Sequence, residues 1–272
     1  MNKQRRQAWS IFGLTAPTYI WLTVTVLLPL TAMLYFSFLT VSPMGGREAD
    51  FTLKHYLNFF QKRIYWYNAW RSVELGIYVT TLCLILAYPA ALALAKVIKG
   101  RWREAIFLLI VLPFWSNALV RTYSWTMVLR EPLDILFTYP AIVIGLVHGY
   151  VPYAVLTIYV SLQAVDDSLI EASRSLGATR WQAFRRIILP LSMPGVLAGV
   201  FLIFVPVIGS FMEPRILGGK YGMMLGPMIE DQFNVAFNWP MGAALSFILL
   251  AIVLLILGAS TPVIKPYLEK NA

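Results

Sequence analysis

Six apolar stretches, at about residues 11–39, 73–97, 105–129, 139–162, 191–211 and 241–264, dominate this 272-residue chain. A hydrocarbon core ~30 Å thick is crossed by about 20 helical residues, a length that each stretch reaches. Lipid offers the backbone no hydrogen-bond partners, so a spanning segment must satisfy its own amides and carbonyls, and single apolar runs do so as helices. The sequence therefore predicts an all-α membrane protein with six transmembrane helices in one domain over 1–272. Only 13% of the residues are charged and 59% are hydrophobic, too little polar material to cover a soluble globule. Lys3, Arg5 and Arg6 precede the first stretch, as they would in a signal peptide. Its apolar length, however, is about twice the ~7–15 residues of a signal core, and no small-x-small cleavage site follows. It reads as a retained helix, bent near Pro17 or Pro29.

Orientation follows from the Lys/Arg content of the loops. Lys3, Arg5 and Arg6, then Lys96, Lys99, Arg101 and Arg103, then Arg174, Arg180, Arg185 and Arg186, and finally Lys265 and Lys270 fall on one side of the six spans. These are most of the 22 basic residues, so both termini and the 163–190 loop are expected to be cytoplasmic. Because the +9 net charge is dispersed among loops, it forms no single patch of the kind nucleic acid requires. The lone Cys83 lies in an apolar run and permits no disulfide within the chain, and His55 and His148 lack metal-ligand spacing. No internal repeat suggests the inverted symmetry of many secondary transporters. On the outer side, residues 40–72 read as a long loop in which Tyr65, Trp66, Tyr67 and Trp70 favour the membrane–water interface or a partner face. Residues 212–240, with Gly218, Gly219, Gly222, Gly226 and Pro227, read as a re-entrant or loop segment.

The loop between the fourth and fifth spans is polar, basic and densely punctuated. Ser168-Leu-Ile-Glu171 and Thr179-Arg-Trp-Gln182 each have capping-box spacing, in which a hydroxyl and a carboxylate or amide reciprocally satisfy helix-terminal N–H groups. Asp166 and Asp167 place negative charge at the start of the first helix. Gly177 falls where a left-handed C-terminal residue is wanted. Two short helices joined at Gly177 should make a rigid elbow along the membrane face, anchored by Trp181 and Phe184.

Within that elbow the residues run Glu171-Ala-Ser, three residues, Gly177, nine residues, Ile187, one residue, Leu189-Pro190. This resembles the cytoplasmic-loop signature of ABC importer permeases, with Ser173 where the family usually has a second Ala. The resemblance implies a type I ABC importer permease (MetI-like) fold and a non-enzymatic role: passing solute while a separate chain hydrolyses ATP. Glu171, Ala172, Ser173, Gly177, Ala178, Trp181 and Arg185 would then form the ATPase-coupling surface. The implied partners are two ATP-binding subunits, a second and different permease, and a periplasmic substrate-binding protein in a bacterial inner membrane. The chain contains no phosphate-binding loop of its own, so ATP and Mg would be bound by the partner ATPase, with no cofactor in this chain.

Further stretches are similar to those of spermidine/putrescine permeases: residues 112–125, Gly149-Tyr-Val-Pro-Tyr153, Gly218-Gly219 and Asn238-Trp-Pro240. Polyamines are the solute this implies. The substrate-pathway candidates are Trp115, Asn117, Arg121, Tyr123, Tyr153, Glu213 and Arg215. Aromatic faces attract ammonium groups, although aromatic rings in a bundle also serve simply to pack. An intramembrane ionisable group such as Arg121 usually faces a cavity or a partner, with snorkelling to the interface as the rival. The related permeases carry a carboxylate two or three residues before the paired glycines. Here Arg215 stands there, with Glu213 five residues before Gly218. That departure keeps a zwitterionic or anionic amino-acid-like solute open, while a pairing of Glu213 with Arg215 is the purely structural alternative.

Overall fold

The computed structural model describes residue 12, residues 15–42 and residues 49–269. The basic residues Lys3, Arg5, Arg6 and Lys270 lie outside them. Among the described residues there is no β-strand beyond one isolated bridge, Leu39 to Phe51. The helices are α1 (Thr15–Ser37), α2 (Lys54–Gln61), α3 (Arg63–Leu92), α4 (Arg101–Val111), α5 (Ala118–Arg130) and α6 (Tyr139–Gln163). They continue with α7 (Asp167–Ser175), α8 (Arg180–Ala183), α9 (Leu189–Ile208), α10 (Met212–Leu217), α11 (Leu225–Asn234) and α12 (Trp239–Glu269). Among the described residues five helices are long and apolar enough to cross a membrane, and the spans are six when the bent pair α4–α5 counts as one.

Three boundaries differ from expectation. The second span begins at Arg63 rather than 73, so Tyr65, Trp66, Tyr67 and Trp70 lie on α3 and not in a loop. The reason is that aromatic and polar residues continue a helix as readily as apolar ones once its first turn is formed. The third span is not continuous over 105–129: α4 and α5 meet at a 99° break. Pro113 lacks the N–H that an α-helix would need there; residues Leu112–Trp115 tighten into a 3₁₀ turn, and extended Asn117 caps α5 by accepting from the Leu119 N–H at 2.8 Å. Finally, residues 212–240 hold two helices, α10 and α11, around a 3₁₀ turn at Gly219–Gly222.

Proline also sets two local expansions. π-Helical turns at Thr23–Leu27 and Phe184–Ile188 directly precede Pro29 and Pro190 by one residue, with Leu28 N–H bonded to the Thr23 carbonyl and Leu189 N–H to that of Phe184. A wider turn accommodates the ring that would otherwise press on the carbonyl four residues back. The irregularity expected in the first span therefore falls at Pro29.

The chain divides into two compact units. One holds α1, α2 and residues 229–248. Here the chain folds back after α1: Thr52 N–H donates to the Phe38 carbonyl at 2.7 Å, His55 Nε2 bonds the Leu39 carbonyl at 2.9 Å, and the Ser37 and Tyr56 hydroxyls meet at 2.8 Å.

The other unit, residues 63–228 and 249 onward, is centred on α3, α6 and α9. On α3 the buried residues Leu75, Val79, Cys83, Ala87 and Ala91 recur every fourth position, a stripe on one helix face. They pack with Ile142, Leu146, Ala154, Ile158 and Leu162 of α6 and with Ile203 and Val207 of α9. Small residues bring the backbones together, as association inside lipid requires. At Gly195 of α9 a β-carbon would overlap the Thr157 carbonyl oxygen and the Ser161 side chain of α6.

Candidate functional site: the elbow and the broken span

The elbow forms from local rules with one change of cap. The cap of α7 is Asp166, extended at φ −67°, ψ 128°, whose carboxylate accepts from the Ser168 N–H at 2.9 Å. Ser168 is already the second helical residue, so the expected Ser168–Glu171 box is absent; the Asp166 carboxylate takes the Ser168 N–H that the Glu171 side chain would have taken in that box. This backbone hydrogen bond, and then that from the Ser168 side chain, hold the Asp166 carboxyl below its ordinary value. The stabilisation is thus complete above about pH 4 and is lost as pH falls through the depressed folded value. Amide protection factors in α7, which divide out the intrinsic pH dependence of exchange, should be flat from neutrality to about pH 5 and fall only below that window; a fall near pH 6 would point to a different group.

At the far end of α7, Ala178 N–H bonds the Ser173 carbonyl at 3.0 Å and Gly177 N–H that of Arg174 at 3.0 Å. With Gly177 at φ +86°, this is the paired pattern of a Schellman terminus. The chain restarts with the expected Thr179–Gln182 capping box, Gln182 N–H to Thr179 Oγ1 at 3.2 Å and Thr179 N–H to Gln182 Oε1 at 2.8 Å. Glu171, Ala172, Gly177 and Arg185 are exposed, Ser173 and Ala178 half-buried. Leu176 and Trp181 are 89% and 66% exposed, so the elbow presents an apolar surface between charged residues.

A basic residue read only as a topology signal also fastens this element. Lys96 Nζ donates to the Val165 carbonyl at 2.6 Å and to Asp167 Oδ1 at 2.6 Å. Asp167 is 74% exposed and Lys96 only 13%, so the carbonyl bond matters more than the screened ion pair. Lys96→Met should loosen the start of α7 by about 1–2 kcal/mol, read as faster amide exchange at residues 167–172 with unchanged exchange in α6.

The pathway candidates fall into two groups. Arg121, on α5, reaches across the break to donate to the Pro113 carbonyl at 3.0 Å, with the Ser116 hydroxyl at 3.5 Å. That carbonyl also accepts from the Ser116 N–H at 3.2 Å and the Ser116 hydroxyl at 2.8 Å, so the guanidinium adds a further, charged donor that ties α5 to the end of the 3₁₀ turn. Asn117 is committed to its cap, whereas Trp115 is 88% exposed and Tyr123 is exposed. Tyr153 of α6 lies with its ring centroid 4.4 Å from that of Phe114. Ser116, Arg121, Ser124, Trp125 and His148 line an open cavity of about 400 Å³, where Trp125 Nε1 donates to His148 Nδ1 at 3.2 Å.

Elsewhere, Glu213 and Arg215 lie on α10. Glu213 is half-buried and accepts from the Ser210 hydroxyl at 2.8 Å; Arg215 is exposed. The segment beyond them is stitched to α3. Arg71 donates to the Tyr221 and Met223 carbonyls at 2.9 and 3.3 Å, and the Ser72 hydroxyl accepts from Leu225 N–H at 3.0 Å at the start of α11. These bonds join residues about 150 positions apart, which no local pattern reveals. Among the described residues no three His, Cys, Asp or Glu side chains gather as a metal site.

A helical bundle with five or six apolar spans, one of them broken, and a capped elbow between two of them is the build of a multi-pass membrane protein. The chain belongs to the family of binding-protein-dependent transport system inner membrane components, which it matches over residues 84–271. It is thus a transport subunit of the ABC importer class, not an enzyme. It is 35% identical over 244 residues to the spermidine/putrescine transport system permease protein PotB of Haemophilus influenzae, spanning 84% of this chain and 85% of that one. Identity to PotB of Escherichia coli K12 is also 35%, over 245 residues, 84% of this chain and 88% of that one. The fold is shared with a bacterial ABC transporter involved in import of the acidic polysaccharide alginate, at TM-score 0.70 and 15% identity, covering 96% of this chain and 98% of that one. The MetI-like all-helical architecture expected from the sequence is therefore the architecture found.

Proposed function

We propose that this chain, with a second and different permease, forms the membrane pathway of an ATP-driven importer of spermidine/putrescine-type polyamines. The observation that carries the solute is the 35% identity to two PotB permeases over 84% of the chain. Two ATP-binding subunits, which bind ATP and Mg, dock on the cytoplasmic elbow, and a periplasmic binding protein delivers solute from the other side. Both termini are cytoplasmic in this reading, as the distribution of basic residues supports.

Chemistry supports a cationic solute in two ways. Trp115, Tyr123 and Tyr153 carry ring faces suited to ammonium groups, and Glu213 adds a carboxylate. Arg121 is engaged with the Pro113 carbonyl, so its charge is partly occupied at the bend rather than directed at solute. One observation favours a different reading: exposed Arg215 stands three residues before Gly218, which suits a zwitterionic or anionic amino-acid-like solute. Calorimetry on the cognate binding protein decides between them. Heat of binding with spermidine or putrescine supports the first; binding confined to carboxylate-bearing amines replaces it.

A further inference from the structure

Movement of the elbow needs a route into the bundle, and the route is visible in the side chains behind Trp181. Its ring stacks on Phe184 with centroids 5.4 Å apart and planes at 23°. Phe184 meets Tyr88 of α3 edge-on at 5.8 Å and 88°. The Tyr88 hydroxyl lies 2.8 Å from Ser192 Oγ on α9, and Ser192 itself donates to the Leu189 carbonyl at 3.0 Å. A serine hydroxyl has one proton, so Tyr88 is the donor to Ser192. Ser161 of α6 closes the knot by donating to the Ser192 carbonyl at 3.3 Å. Ser192 is fully buried, and Gly195, three residues further along α9, sits directly against α6. The three core helices are thus tied together where the aromatic train ends.

The same place is where two of those helices are softest. Pro89 follows Tyr88 inside α3, and Pro194 lies two residues after Ser192 inside α9. Each removes one helical hydrogen bond and makes its helix bend most easily at that turn. A close-packed train transmits displacement because it has little free volume to absorb it.

We infer that Trp181, Phe184, Tyr88 and Ser192 form a lever by which displacement of the elbow bends α3 and α9 at Pro89 and Pro194. These are positioning residues, and the inference rests on the reading that the elbow receives the ATPase. Phe184 and Tyr88 do not belong to the exposed docking surface, so their loss should uncouple motion without undocking the ATPase.

The test uses the complete transporter in lipid nanodiscs, with spin labels at Leu86→Cys on α3 and Leu202→Cys on α9. Both positions are exposed and lie beyond the prolines as seen from the elbow, while native Cys83 is buried and protected from label. Electron–electron distance measurements compare the nucleotide-free state with the state trapped by Mg-ATP and vanadate. Phe184→Leu should shrink the trapping-induced change in distance at least about threefold, an effect within the range seen along coupled residue chains. Tyr88→Phe keeps the ring and removes only the hydroxyl, so it guards against a folding defect and should reduce the change as well. Full native change in both variants, with the ATPase still co-purifying, overturns the lever. Failure of the ATPase to co-purify with the native chain, or no change on trapping there, overturns the importer reading instead.

Discussion

Gly177→Val is expected to lower solute uptake at least about tenfold while the membrane bundle remains folded. The left-handed backbone at φ +86° costs an L-residue ~1–2 kcal/mol, and a β-branched one more. A β-carbon there meets nothing within 4 Å, so the strain lies in the backbone and not in packing. Relief of that strain undoes the two terminal hydrogen bonds of α7 and turns a stiff corner into a compliant one. Uptake, ATPase co-purification and thermal unfolding of the bundle measure the three consequences separately. Gly177→Asn tells the two causes apart, because Asn tolerates left-handed geometry far better. Near-native uptake with Asn assigns the defect of Val to backbone strain, and equal loss with both assigns it to a groove on the ATPase that admits no side chain.

The second large effect is expected at Gly195. A valine there would drive its β-carbon into the Thr157 carbonyl oxygen and the Ser161 side chain. The obstacle is partly backbone, so α9 and α6 must separate. Overpacking a core costs about 1–3 kcal/mol, which lowers the unfolding midpoint of a chain this size by about 2–12 °C. Gly258→Ala on α12 is the control, since a β-carbon there meets nothing within 4 Å. It should leave the midpoint unchanged or raise it slightly. An unchanged midpoint for Gly195→Val would mean that α6 and α9 are not in intimate contact.

The elbow was readable in the sequence because its rules act over two to five residues. Thr179 with Gln182, and Gly177 at a helix end, specify geometry without help from the rest of the chain. Even so, the first cap is Asp166 and not the Ser168 that the spacing predicts, since both are capping residues and only backbone geometry selects between them. The spans were legible from length and hydropathy, but not all their limits. Pro113 alone marks a weak point; the 99° turn also has extended Ser116 and Asn117, and Arg121 reaching back to the Pro113 carbonyl. Nothing local indicates that Tyr88 will meet Ser192, 104 residues later, or that Lys96 will hold Val165. Such contacts arise from helix packing, and a single sequence records the apolar faces without saying which face meets which.

The widened turn at Phe184–Ile188 spends five residues where an ordinary helix spends four. Each helical residue advances the azimuth by about 100°, so that one surplus residue fixes the phase between Trp181 and Gly195. Deleting a single residue from the turn would leave α8 and α9 helical yet rotate one against the other by more than a quarter revolution. Either the flat indole would then swing away from its seat, or the glycine would no longer face α6. The extra residue thus acts as an index mark, setting the phase of the elbow against the bundle.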